Sequence, residues 1–350
     1  MLTIPLPHKW GEYPCEGKMK KLYLLLALFF STLGFGVDTD QNFLINGGFD
    51  LFQRGTANAN VSAEGYLADR WFSTAGTYNR NASNLPTGQN YGAQLAFSSG
   101  SGWLCQRVES ANVKFLGGQK MTVSGYERSS IGTGPLKLKI DQPNTRDNYA
   151  GRGRSGTTLT NEIPATTLLA TTSTTLTSWR YTFSVSSNMA SYGFQVCLGT
   201  DTSTTTTYQL SALMLNKGIK KASFTYAGKD ISEEISKAQR YFEKSWKLEN
   251  TPAAGVDIIE VNTGQDVANI ITHFKFGTVK RIIPTYWTVS NGNSSAIFTG
   301  GNGCYEAQSC CQICDMTMPH STTSGFSFKM RSNSGYGSAR YFGWWADAEL

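Results

Sequence analysis

A chain of 350 residues is long enough for about two domains. Only 16% of its residues are charged and 36 are glycine, which argues against long helices; a hydrophobic content of 40% argues against disorder. The net charge of +6 is mild and spread along the chain. Nucleic-acid binding requires a clustered basic face, so no nucleic-acid partner is expected.

Near the N-terminus, Met19-Lys20-Lys21 precedes the apolar run LYLLLALFFSTLGFG, with Gly34 and Gly36 at the −3 and −1 positions of a cleavage site. This is the anatomy of a secretory leader over residues 19–36, with the true start at Met19 and residues 1–18 upstream of it. The apolar core falls short of the roughly 20 residues that a membrane span requires. An uncleaved anchor is the alternative reading of the same segment, so 1–36 is set apart as a leader. Beyond Cys15, the six cysteines Cys105, Cys197, Cys304, Cys310, Cys311 and Cys314 form an even set. In an exported chain such a set is available for disulfides.

After the leader comes Asn42–Gly55, NFLINGGFDLFQRG, where two apolar runs flank Asn46-Gly47-Gly48. The pattern predicts a strand, a break and a second strand, with the glycines marking a bulge, a bend or a close backbone approach. Further strands are predicted at Gln94–Phe97, Trp103–Val108, Lys120–Gly125, Leu136–Ile140, Ser178–Val185, Ser191–Leu198 and Tyr208–Leu215. Leu136, Leu138 and Ile140 share one face of their strand, and Lys137 and Lys139 share the other. The threonine-rich stretch 157–177 reads as an edge strand with loops. Residues 42–218 are therefore read as one β-sandwich. A connector, Asn216–Gly228, and then a helix come next, and 219–249 is set apart as the linking segment. Asp230 is its N-cap, Glu233 and Glu234 lie in its first turn, and Ile231, Ile235, Ala238 and Phe242 form its apolar stripe beside Tyr241 and Trp246. Residues 250–350 alternate again, at Phe274 and Phe276, at Phe326, Phe328 and Met330, and from Ile283 to Val289 behind Pro284. They read as a second, smaller β-module carrying a cysteine-rich loop at 304–314.

Several of these segments carry a resemblance. NFLINGGFDLFQRG with Ala68-Asp69-Arg70-Trp71, the helix EEISKAQRYFEKSW, Lys280–Ser290 and the terminal Ala346-Asp347-Ala348-Glu349-Leu350 occur in the order found in bacteriophage and prophage tail-fibre-like structural proteins, which this chain resembles. One departure is Ala238, which stands where cysteine is frequent in that family. The resemblance implies an all-β protein: an N-terminal jelly-roll β-sandwich of carbohydrate-binding type, one linking α-helix and a smaller C-terminal β-sandwich-like module. It implies adhesion to a cell-surface glycan, other virion or tail proteins as partners, and a homo-oligomer, commonly a trimer. It also implies a structural calcium ion near the first strand, for which Asp50 is the nearest acid. No other cofactor is expected.

Chemistry is sparsely encoded. His273 and His320 have no nucleophile motif beside them, so a serine-histidine-aspartate triad is not expected. Asp69, Glu109, Glu127, Asp141 and Asp147 could supply the two carboxylates of a glycosidase, which keeps a polysaccharide depolymerase as a third reading. Cys304, Cys310, Cys311 and Cys314 fall within eleven residues and are read as disulfides stapling a loop, with a metal site and free thiols as alternatives. Cys105 and Cys197 lie on strands that could be neighbours. Sugar rings stack on aromatic faces, and Trp103, Tyr126, Trp179 and Tyr181 sit among polar residues in the first module, so they are the carbohydrate-binding candidates. Packing in a sandwich interior competes for the same four side chains. Arg70 and Asp69 are expected to pair locally. The expected function is host-surface attachment by a virion tail protein without catalysis; the alternative is a secreted bacterial or prophage-derived carbohydrate-binding protein.

Overall fold

A computed structural model describes residues 41–349 apart from 55–58, 61–64, 67, 98–100, 132–133, 150–158, 171–173, 202–205, 229, 245–258, 263–269, 291–294, 299–302, 308–310 and 331–338. The expected leader at 1–36 lies outside the described residues.

The first module opens with short strands β1 (Ala59–Asn60), β2 (Gly65–Tyr66) and β3 (Phe72–Ser73), then β4 (Thr77–Asn81), β5 (Gly92–Phe97) and β6 (Gly102–Val108). A one-turn helix α1 (Ser110–Val113) leads to β7 (Lys120–Ile131), β8 (Leu136–Pro143), β9 (Leu159–Leu169) and β10 (Thr177–Ser184). Helix α2 (Ser187–Tyr192), β11 (Phe194–Thr200) and β12 (Thr206–Lys217) complete it. One sheet has the order β1-β4-β5-β12-β7-β10 and the other β2-β3-β6-β11-β8-β9. The pairing is nested: β5 lies against β12, β6 against β11, β7 against β10 and β8 against β9, all antiparallel. A single long hairpin folded across two sheets in this way is a jelly roll.

Side-chain alternation fills the space between the sheets. Leu136, Leu138 and Ile140 of β8 join Leu104, Val123, Val196, Leu198 and Leu210 in one buried cluster, while Lys137 and Lys139 face away. The outer face of the second sheet is covered as well. There Trp103 packs with Tyr66, Phe72 and the Cys105–Cys197 disulfide, which joins directly opposed residues of β6 and β11. The 157–177 stretch supplies β9, the edge strand expected of it.

Residues 42–54 differ from expectation: they form a buried irregular loop, not two strands. The loop docks on a bulge in β12, where the pairing with β7 shifts register between Ser211 and Met214. The Leu213 N–H donates to the Gly47 carbonyl at 2.9 Å, and the Leu213 carbonyl accepts from the Asn42 side-chain amide at 3.0 Å. A Cβ on Gly47 would lie 2.1 Å from that same carbonyl, so this glycine marks a close approach. The left-handed backbone falls on Asn46 and Phe49 (both φ 58°). Backbone groups of the loop are satisfied by side chains: Gln106 bonds both the N–H and C=O of Ile45, and Asn46 holds Leu51.

The linking helix α3 (Ile231–Gln239) is capped by Asp230, whose carboxylate accepts from the N–H groups of Ser232 and Glu233, each at 2.9 Å. It ends sooner than the apolar stripe predicts. Phe242–Lys244 is a strand, β13, and Trp246 lies outside the described residues. Aromatic residues give little to a helix, and here the backbone gains a partner strand instead. Strands β14 (Ile259–Asn262), β15 (Ile270–Lys275), β16 (Thr285–Ser290), β17 (Ser295–Phe298), β18 (Gly303–Ala307), β19 (Cys311–Ser321), β20 (Gly325–Met330) and β21 (Ala339–Asp347) complete the C-terminal module. They form sheets of order β13-β21-β16-β17, with β14 also on β21, and β15-β20-β19-β18. Phe274, Phe276, Phe326 and Trp344 meet between them, with ring centroids 5.1–6.4 Å apart. Cys304, Cys311 and Cys314 lie on the paired strands β18 and β19, where a loop was expected. Cys310 and any bridging of these four cysteines lie outside the described residues.

The segments that carry the family resemblance converge on the seam between the modules. Arg70 is buried with its guanidinium 3.4 Å from the centroid of the Tyr241 ring; it pairs with Glu349 and donates to the Arg107 carbonyl at 2.6 Å. Burial disfavours the Arg70 charge, but Glu349 and the nearby tyrosines outweigh it and hold the pKa above its ordinary value. Asp69 turns the other way, accepting from the Gln53 amide at 2.7 Å with Arg54 at 3.9 Å. The expected Asp69–Arg70 pair is therefore not formed, because adjacent residues of this turn, with Arg70 at φ 72°, face different partners. Arg54 continues to Asp347 (3.2 Å) and lies 3.9 Å over the Phe242 ring. Arg281 reaches Glu109 at 2.6 Å, and Lys280 pairs with Glu243. Glu234 accepts from the N–H groups of Asn46 and Gly228, which ties α3 to the opening loop.

These contacts set three expectations for stability. Replacing both Cys105 and Cys197 by serine is expected to cost about 2–5 kcal/mol in urea unfolding, since the bridge closes a long loop; an unchanged midpoint would contradict this. Glu349→Gln is expected to cost roughly 3–5 kcal/mol, because the buried Arg70 loses its counter-charge. In a double-mutant cycle with Arg70→Met, the two costs should not add. The third concerns Glu127, which is fully buried with neither carboxylate oxygen hydrogen-bonded among the described residues. Burial pushes its carboxyl up to about 8 from 4.5. Between those values the folded state holds a proton that the unfolded state releases, so this group's contribution to stability falls as pH rises and is lowest above about 8. Glu127→Gln should therefore gain stability over wild type from about pH 5 to about pH 9 in urea titrations, and parallel pH profiles would contradict the assignment.

Candidate functional site

A cleft of about 440 Å³ lies over the outer face of the first sheet. Alternation on β7 sends Met121 and Val123 inward and Ser124 and Tyr126 outward, and the latter two form part of the floor. The bulge of β12 contributes Ala212 and Met214, with Ala212 in the left-handed region at φ 49°. One wall is the β4–β5 loop, Pro86 to Gln89; the other is the chain leaving β12, Lys221 to Tyr226.

That second wall is fixed at several points. Lys221 Nζ lies 3.9 Å from the centroid of the Tyr126 ring and donates to the Ser178 hydroxyl at 2.6 Å, with the Gly125 carbonyl at 3.4 Å. Burial lowers its pKa. Phe224 and Tyr226 meet edge to face at 5.6 Å, and the Tyr226 hydroxyl donates to Asp50 Oδ2 at 3.3 Å. Burial, with Asp50 beside it, pushes Tyr226 up to about 12. Burial also raises the Asp50 pKa, against the pull of Asn90, Tyr226 and Arg80. The Asn42 amide holds the Thr225 carbonyl at 3.0 Å, so the opening loop positions this wall too.

The four aromatic candidates are distributed over different environments. Tyr126 lines the cleft. Trp179 is buried between the sheets opposite Gly125, whose missing side chain leaves room for its ring, so Trp179 is a core residue. Tyr181 is half-buried against the same core, and Trp103 belongs to the cluster around the disulfide on the other sheet. Phe224, Tyr226, Lys221 and Gln89 were not anticipated. The one signal that could have marked this wall is the aromatic pair Phe224 and Tyr226 in a connector made mostly of small and polar residues.

Around Asp50 the donors are the neutral Tyr226 and Asn90, and Arg80 lies near enough to act on its charge. Among the described residues no group of three acids or histidines gathers. A single carboxylate held by neutral donors, with no second acid gathered near it among the described residues, does not fit a calcium ion, whose sites are rich in oxygen ligands. The acids weighed for glycosidase chemistry lie elsewhere. Asp69 and Glu109 belong to the seam, Asp141 accepts from Gln195 at 2.9 Å, Asp147 binds Ser110, and Glu127 is in the sandwich interior. The cleft thus offers half-buried aromatic rings, hydroxyls, the Gln89 amide and one ammonium group, a set suited to stacking and hydrogen bonding with a polyhydroxylated ligand.

Neither a family model nor a curated protein sequence matches the chain. Among solved structures it is similar to a CBM4 structure, with 15% identity and a TM-score of 0.32 over 49% of this chain and 98% of that one. It is similar to the CBM22-1 xylan-binding domain from Paenibacillus barcinonensis Xyn10C, with 12% identity and a TM-score of 0.33 over 53% of this chain and all of that one. The enzymatically active domain of bacteriophage CBA120 tailspike protein 4 gives 7% identity and a TM-score of 0.33, over 51% of this chain and 21% of that one. At such scores the likeness fixes neither a ligand nor a site.

Proposed function

We propose that the cleft between the β4–β5 loop and the 221–226 segment binds carbohydrate, and that the chain is an attachment protein that breaks no bond in its ligand. The observation that carries this is the floor and wall made by Tyr126, Phe224 and Tyr226 with Gln89, Ser124 and Lys221 around them. Among the described residues that line the cleft, none is an acid. Attachment through a shallow site of this kind is weak per copy and gains strength when several copies engage one surface. In the first reading those copies belong to a tail-fibre-like oligomer on a virion and the ligand is a cell-surface glycan.

The Cys105–Cys197 bridge favours a second reading, a secreted bacterial or prophage-derived carbohydrate-binding protein, because disulfides persist in oxidising compartments. Both readings share the cleft. A depolymerase would need two acids placed across a bound glycan, and the cleft supports that reading least.

The test is a glycan array probed with the full chain and with Tyr126→Ala, Tyr226→Ala and Trp103→Phe. Retention of at least one glycan is expected, weakened about tenfold or more by each tyrosine variant, since a few aromatic side chains carry much of the energy of a binding surface. Trp103→Phe should leave retention unchanged. Loss of binding in Trp103→Phe alone, or no retained glycan, would overturn the assignment.

A further inference from the structure

Lys221 is the single charged residue among the described residues that line the cleft, and no carboxylate among the described residues pairs with it. Its polar partners are a hydroxyl and a carbonyl, and its ammonium sits over the face of Tyr126. Two of its three N–H donors are thereby accounted for. Asp50, which accepts from the Tyr226 hydroxyl of that wall, is not one of the lining residues. A half-buried cation fixed by neutral groups keeps its attraction for an anion, because no described residue neutralises it and the site is partly screened from water.

Resting on the carbohydrate reading of this cleft, we infer that its ligand is an acidic glycan, whose sugar carboxylate pairs with the Lys221 ammonium while the ring stacks on Tyr126 or on the Phe224–Tyr226 pair. A charge-assisted hydrogen bond from ammonium to carboxylate is shorter and stronger than one to a hydroxyl, and it discriminates against the neutral analogue. Because Lys221 is held by the Ser178 hydroxyl and the Tyr126 ring, little side-chain freedom remains to be lost when the ligand arrives.

The experiment uses an array of alginate, hyaluronan, polygalacturonate and polysialic acid, each beside its carboxyl-reduced, neutral counterpart. It is probed with the full chain and with Lys221→Met and Lys221→Arg, after thermal melting has confirmed that each variant folds. An acidic member should be retained about tenfold or more above its reduced form, and that preference should shrink as salt is raised. Lys221→Met should abolish the preference, and Lys221→Arg should keep a large part of it. Equal retention of reduced and unreduced forms, or a preference unchanged in Lys221→Met, overturns the acidic-glycan inference and leaves the carbohydrate site standing. If neither this array nor the broader one retains the chain, both fall. Should Lys221→Met fail to fold, Lys221→Gln is read by the same criteria.

Discussion

The fold depends on a buried cation, Arg70, clamped between the Glu349 carboxylate and the face of the Tyr241 ring. A guanidinium cannot shed its charge, so once buried it must be surrounded by acceptors and π-density. Those partners, with the Arg107 carbonyl, come from distant parts of the chain: strand β6, the residues after α3 and the residues beyond β21. Meeting the needs of this one group fixes how the jelly roll, the helix and the C-terminal sheets are joined. Arg54, Glu109, Lys280 and Arg281 extend the same logic along the seam. A cluster of this kind gives little net stability compared with an apolar contact of equal size, but it tolerates few alternative arrangements.

The docking loop and the cleft are coupled through the same few residues. Asn42 holds both the β12 bulge at Leu213 and the cleft wall at Thr225. Glu234 ties α3 to the N–H of Asn46. The cleft floor is therefore built against a largely buried loop that is itself anchored to the seam. That is a sound footing for recognition, since positions fixed in advance cost little to order on binding.

Much of the sandwich was legible because a two-residue period translates directly into faces of a sheet, as Leu136, Leu138 and Ile140 illustrate. The Gly47-Gly48 pair was legible as a bulge, a bend or a close approach, and the carbonyl crowding Gly47 makes it the last of these. What the pattern could not reveal was partnership. Phe43-Leu44-Ile45 reads as a strand, yet its hydrogen bonds go to Gln106 and Asn42 side chains and to the end of β12. Phe242 continues a helical stripe, yet it pairs with Asp347 in a sheet. The same gap explains the site: Tyr126 and Trp179 look alike in sequence, and only strand register sends one outward and the other into the core. The cleft wall lay in a segment with no period at all, where local sequence carries little information about what it covers.

The nested strand order has a consequence for how this chain acquires its shape. Contacts between β5 and β12 join residues about a hundred positions apart, and each inner pair spans less than the one enclosing it. Only the innermost hairpin, β8 with β9, can form cheaply; every outer ring must wait for a larger loop to close. The sulfur bridge from β6 to β11 fastens the second ring, so an oxidised chain that loses its order keeps a tether around the two inner hairpins and within reach of the widest one.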